Sequence, residues 1–159
     1  MKRVEENALK IKKLLNNNDI DDKILRLACA WHDISYVFFK ASPRQYFLEA
    51  RRSVRFIKKN FKEVNFPEDE LKIITNIVLY HDVLMSFRRR NEKRSLHNKI
   101  MQDTDFLDGT SNDRIDHAKK LSKNSMYWKF VSKILVPIFI GTVVKNKNKF
   151  LNLEENTRL

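Results

Sequence analysis

Apolar residues recur with a helical period along most of the chain. Val4, Ala8, Ile11, Leu14 and Leu15 keep the i, i+4, i+7, i+11 rhythm of an amphipathic helix, which predicts a first helix ending at the Asn16, Asn17, Asn18 run. A second helix starts at Asp19 or Asp21 and carries Ile24, Leu25, Leu27, Ala28, Ala30 and Trp31 into His32 and Asp33. It is apolar on more than one face, which predicts the most buried, central helix. After a loop containing residues 36–40, Ser42-Pro43-Arg44-Gln45 combines a Ser N-cap, Pro at the first helical position and Gln at N3. A third helix is predicted from there, with Phe47, Ala50, Val54, Ile57 and Phe61 toward the core. Pro67-Glu68-Asp69-Glu70 puts acids in a first turn, where the helix dipole favours them, and opens a fourth helix through Leu71, Ile74, Ile77 and Val78 to His81 and Asp82.

Residues 84–94 are basic and aperiodic and read as an exposed loop. A fifth helix, Leu96 to Leu107, turns Ile100, Met101, Thr104 and Leu107 inward, and Gly109 is its expected C-cap. Further helices are expected over 114–121 and 128–144. The apolar stretch from Tyr127 to Val144 is broken by Lys129, Lys133 and Pro137, so it reads as a buried, kinked helix rather than a membrane span. A membrane-surface helix is its less favoured alternative.

Composition agrees with helices and little else. The chain has 159 residues with 2 Gly and 3 Pro, too few for the tight turns that sandwiches, barrels and parallel α/β folds need. The expected fold is all-α: a single-domain bundle of about six to eight helices, with a core over 1–110 and a helical extension over 111–159 packed on it. One cysteine, Cys29, excludes a disulfide framework and a CxxC zinc site. With no apolar h-region in MKRVEENALK, this predicts a cytoplasmic protein and no membrane partner.

Charge adds a possible ligand class. The formal net charge is +12. Residues 117–153 hold eight lysines and no acid, and Arg88, Arg89, Arg90, Lys93 and Arg94 form a second cluster. Such patches attract phosphates on nucleotides, nucleic acids or lipids, although a Lys- and Asn-rich coding bias explains them equally well.

Ionisable residues inside apolar helical runs carry the chemistry, because burying a charge is costly unless a metal or an opposite charge compensates it. Three such places stand out: the run Leu27 to Trp31 ending in His32-Asp33, the run Ile77 to Tyr80 ending in His81-Asp82, and Asp103 and Asp105 within Ile100 to Leu107. An imidazole and carboxylates converging from separate helices would suit a borderline divalent cation such as Mn, Fe, Co, Ni or Zn.

In these residues the chain resembles the HD superfamily of metal-dependent phosphohydrolases. The matching segments are Leu27-Ala28-Cys29-Ala30-Trp31-His32-Asp33-Ile34, the downstream His81, and Lys99 to Asp108, similar to a late Asp-Ala-Asp-x-Leu-Asp segment. The resemblance implies that His32, Asp33 and Asp105 ligate a divalent metal ion. It places His81 beside the metal as a catalytic group together with Asp33. It also implies hydrolysis of a nucleotide or other small phosphate ester by metal-activated water, with Arg51, Arg52 and Arg88 as candidate phosphate holders.

Two departures qualify that expectation. The family's first metal-binding His, three residues before an Arg-Val-like pair, has no counterpart ahead of Arg3-Val4. An acid three residues after the His-Asp pair, used by some nucleotidase branches, is replaced by Tyr36. His97 and His117 are the remaining histidines that a fold might bring close. The rival expectation is a catalytically inactive HD-like domain that binds nucleic acid or an anionic nucleotide through the basic C-terminal third.

Overall fold

A computed structural model describes residues 2–81 and 95–109, together with four isolated helical positions at 129, 133, 134 and 137. The chain divides into two compact units, Met1–Asp108 and Gly109–Leu159. The expected loop at 84–94 and helix at 114–121 lie outside the described residues, as does all but those four positions of the helix at 128–144. Ile134, expected in a buried helix, is exposed.

Among the described residues the secondary structure is entirely helical: α1 (Lys2–Leu15), α2 (Asp22–Trp31), α3 (Ser35–Phe38), α4 (Pro43–Glu63), α5 (Glu68–Tyr80) and α6 (Leu96–Gly109). No helix among them is long and apolar enough to cross a membrane. The all-α expectation holds.

The punctuation follows local chemistry. Helix α1 stops at Asn16, which takes φ 46°, a left-handed conformation that Asn tolerates better than most residues. Asp21 caps α2, its carboxylate accepting from the N–H groups of Lys23 at 2.7 Å and Ile24 at 3.2 Å. Ser42 caps α4 by accepting from the Gln45 N–H at 3.0 Å, with Pro43 in the first turn. The reciprocal half of the predicted capping box is not made. The Gln45 amide instead donates to Ser35 Oγ at 2.9 Å and accepts from Arg52. That exchange ties α4 to α3, a short helix standing where a loop was expected.

Helix α2 packs against α1 and α5, and α5 against α4. Val4, Ala8, Ile24, Leu25, Ala28, Cys29, Ile57, Phe61, Ile74, Ile77, Val78, Ile100 and Met101 share one core. Full burial of each large aliphatic side chain contributes about 1.5–3 kcal/mol. Two side-chain amides join α6 to α5: Gln102 Nε2 donates to the Tyr80 carbonyl at 2.6 Å and Asn98 Nδ2 to the Asn76 carbonyl at 3.3 Å. The Tyr80 carbonyl, at the C-terminus of α5, would otherwise lack a helical partner.

Within the first unit three further expected core positions face water: Leu14, Phe47 and Leu107 are exposed. On α4 the reason is visible in the buried stripe. Gln45, Glu49, Ser53, Ile57 and Phe61 recur every four residues and are buried, so the N-terminal half of the inward face is polar. Phe47 lies off that stripe.

His97 sits at the start of α6, where its Nε2 accepts from the Asp21 N–H at 3.1 Å. Burial lowers its pKa, with Asp21 opposing and Lys12 assisting. The folded chain therefore resists protonation here while the unfolded chain does not. This contribution is complete above the ordinary imidazole range and is lost as pH falls through it. His97→Gln, which keeps an acceptor, should lose less thermal stability than the parent between pH 7.5 and 5; identical losses in paired melting curves would refute this.

Candidate metal centre

Four helices bring their functional side chains to one place because their apolar faces converge on α2. His32 and His81 are the C-cap residues of α2 and α5. Both rings are buried, and their centroids stand 5.1 Å apart in an edge-to-face arrangement. Each is held by the same device. His32 Nδ1 lies 2.8 Å from the Cys29 carbonyl, and His81 Nδ1 lies 2.7 Å from the Val78 carbonyl, three residues back in each case. A carbonyl can only accept, so Nδ1 carries the proton and the Nε2 lone pair is left for a cation. The C-terminal ends of both helices add partial negative charge at the same spot.

Carboxylates surround the two Nε2 atoms. His32 Nε2 is 3.3 Å from Asp33 Oδ2 and 3.6 Å from Asp105 Oδ1, and His81 Nε2 is 3.6 Å from Glu49 Oε2. Ligand atoms about 2.1 Å from a shared cation stand about 3.0 Å apart in an octahedron and about 3.4 Å apart in a tetrahedron, so the spacing suits coordination. Asp33, Glu49 and His81 each offer an atom within 4.8 Å of the other two. Glu49 and both histidines form the floor, whereas the side chains of Asp33 and Asp105 are 43% and 36% exposed and mark the mouth.

The electrostatics fit that arrangement. Burial works against protonating His32, but Asp33 and hydrogen bonds to Asp105 and Asp33 prevail and lift its pKa well above the usual value. His81 is raised likewise: burial and His32 oppose, and Glu49, Asp105 and Asp33 outweigh them. Three carboxylates gathered in a chain of net charge +12 create a local preference for a cation. The group whose ligand atoms lie mutually within 4.8 Å, Asp33, Glu49 and His81, offers one imidazole and two carboxylates, with His32 beside Asp33 and Asp105, a donor chemistry that fits a borderline or hard divalent ion.

The structure thus brings together His32, Asp33, His81 and Asp105, all proposed from sequence, and adds Glu49. Glu49 was legible in principle: stepping back by fours from Phe61 and Ile57 reaches Ser53, then Glu49, an acid on a buried stripe. The three arginines fare differently. Arg52, half-buried, bonds Gln45 and lies 4.0 Å over the Phe39 ring. Arg51 is exposed and, two residues beyond Glu49, is turned about 200° around α4 from it. Arg88 lies outside the described residues, as do Asp82 and His117. His97 is taken up by its bond from the Asp21 N–H.

Two nearby groups are not ligands of this site. Burial, with Glu5 and Asp105, pushes the Cys29 thiol up to about 12, so it stays protonated and packs 3.6 Å from the Met101 sulfur. Asp103 is turned about 200° around α6 from Asp105, and burial raises its carboxyl to about 6 against the pull of Lys99.

Searches of the curated proteins and of the solved structures returned no match. The family model of the HD domain matches residues 1–110. That match covers the described helices from α1 through α6 and every residue of the centre, and the chain therefore belongs to the HD domain family.

Proposed function

We propose that the protein is a metal-dependent phosphohydrolase acting on a nucleotide or another small phosphate ester. The observation that carries this reading is the pair of buried histidines, each fixed through Nδ1 with Nε2 turned toward carboxylates. Family membership supports the reaction class. His32, Asp33, Glu49, His81 and Asp105 are the residues that would hold a divalent cation. Such a cation, when bound, supplies positive charge to a phosphoryl group and lowers the pKa of water.

The chain's own residues supply the rest. The buried floor of Glu49, His32 and His81 fixes geometry and excludes bulk water, while the exposed edges of Asp33 and Asp105 leave room for a phosphate at the mouth. Asp33, whose carboxylate reaches the mouth, is the group we assign to proton handling at the attacking water, while His81, with both ring nitrogens engaged, would orient the cation. Arg52, one turn from Glu49 and oriented by Gln45 and Phe39, is the arginine we assign to a substrate phosphate.

Metal analysis of protein purified with Mn, Fe, Co, Ni and Zn, joined to assays on phosphate esters, tests the reading. Retention of one of these ions and turnover dependent on it are expected; protein that retains none and turns over no ester in any of them refutes it. His32→Ala and Asp105→Asn should abolish retention, and Glu49→Gln should weaken affinity at least ~10-fold without lowering thermal stability of the metal-free protein. Affinity should also fall on acidification. Protons compete for Nε2 of both imidazoles, whose raised pKa values carry that competition above the ordinary imidazole range. Titration calorimetry in buffers of different ionisation enthalpy should show proton release near neutral pH.

A further inference from the structure

The outer face of α4 is charged in a way no other described surface is. Arg44, Arg51, Arg55, Lys58, Lys59 and Lys62 are all exposed. At 100° per residue they fall within an arc of about 100°, opposite the buried Glu49–Ser53–Ile57 stripe, and span about 27 Å of helix. No acid lies in that arc. None of the six forms an ion pair among the described residues. Four other cations are matched, Arg3 with Asp108, Lys12 with Asp22, Lys23 with Glu70 and Arg26 with Glu5, and the remaining described lysines outside α4 are scattered rather than in a row. Like charges at i, i+4 along a helix destabilise it, so the row stands against local helix energetics.

Exposed aromatic surface flanks the row. Phe47 is 47% exposed at the edge of the cationic arc, and on α3 and just beyond it Val37, Phe38 and Phe39 are 67%, 56% and 43% exposed. Phe38 is braced by Phe56, with ring centroids 4.6 Å apart, and Phe39 by the Arg52 guanidinium. Braced, water-facing rings beside a row of cations match what binds unpaired nucleic acid: phosphates follow the cations and bases stack on the rings. A duplex hides its base faces and would leave the rings without a use. A bilayer surface fits less well, because the arc carries no apolar stripe along its length to bury among acyl chains.

We propose that the outer face of α4, with Phe38, Phe39 and Phe47, is a docking surface for single-stranded nucleic acid. Its cations lie on the side of α4 away from Glu49, with Phe38 and Phe39 flanking them over Phe56 and Arg52, so binding does not require the cation.

Fluorescence anisotropy of a labelled oligothymidine with the full chain, across a salt series and in EDTA, tests this. Binding should weaken steeply with salt, persist in EDTA, and exceed binding of a duplex of equal length. The triple variant Arg55→Glu, Lys58→Glu, Lys62→Glu alters exposed positions alone, and circular dichroism would confirm its fold. It should lose at least 10-fold in affinity, with the log–log salt slope shallower by about 2. Phe38→Ala should lose about 5-fold or more with the slope unchanged. Equal affinity of the triple variant and the parent overturns the proposal, because binding would then reside elsewhere on this basic chain. So does binding to phosphatidylserine vesicles, abolished by the triple variant, without binding to the oligonucleotide.

Discussion

The architecture rests on one hydrogen bond made twice. A histidine at the end of an apolar helix gives its Nδ1 proton to the carbonyl three residues back, and the ring stands with Nε2 aimed outward from the helix end. This bond settles tautomer and direction together. Together with the Gln102 amide on the Tyr80 carbonyl, it gives partners to carbonyls at the ends of both helices. The polar centre is thus part of how the bundle terminates its helices.

Around that device the energetics run in opposite directions. The lower core, with Leu25, Ile57, Ile74 and Ile77 fully buried, supplies stability in the ordinary way. The upper core is polar instead: Glu49, Asp33 and Asp105 carry like charge, and Glu49 is the most buried of the three. The raised imidazole pKa values are the visible relief: in the absence of a cation, protons serve as the compensating charge. Polar residues of α3 and α4 surround the centre, with Gln45 Nε2 donating to Ser35 Oγ and the Ser35 N–H to Ser53 Oγ. They hold α3 directly after the His-Asp pair.

Sequence patterning reached most of this because apolar helices that end in a histidine are conspicuous. His32, His81 and Asp105 interrupt or end runs of Leu, Ile and Val, and their helices were legible within a residue or two. What stayed hidden had the opposite character. Hydrophobicity placed Ala50, Val54, Ile57 and Phe61 of α4 inward, but the inward face of its first half is polar, so Phe47 was assigned inward and Glu49 passed unnoticed. Leu14 and Leu107 misled in the same way, as apolar residues on the correct period near helix ends, where there is too little neighbouring structure to cover them. The one-turn α3 follows from contacts with Ser53 and Gln45, which no local pattern announces.

The ion pair between Arg3 and Asp108 joins the first turn of α1 to the last turn of α6 across 105 residues of sequence. Helix ends ordinarily open and close independently of one another, by local fraying. Here the two ends share an anchor, so opening one releases the other. Asp105 lies within one turn of Asp108, which makes the position of a residue at the mouth of the centre depend on whether the beginning of the chain is wound. Amide exchange in these two turns, distant in sequence, should therefore be coupled, and order at the start of α1 should bear on the carboxylate end of α6.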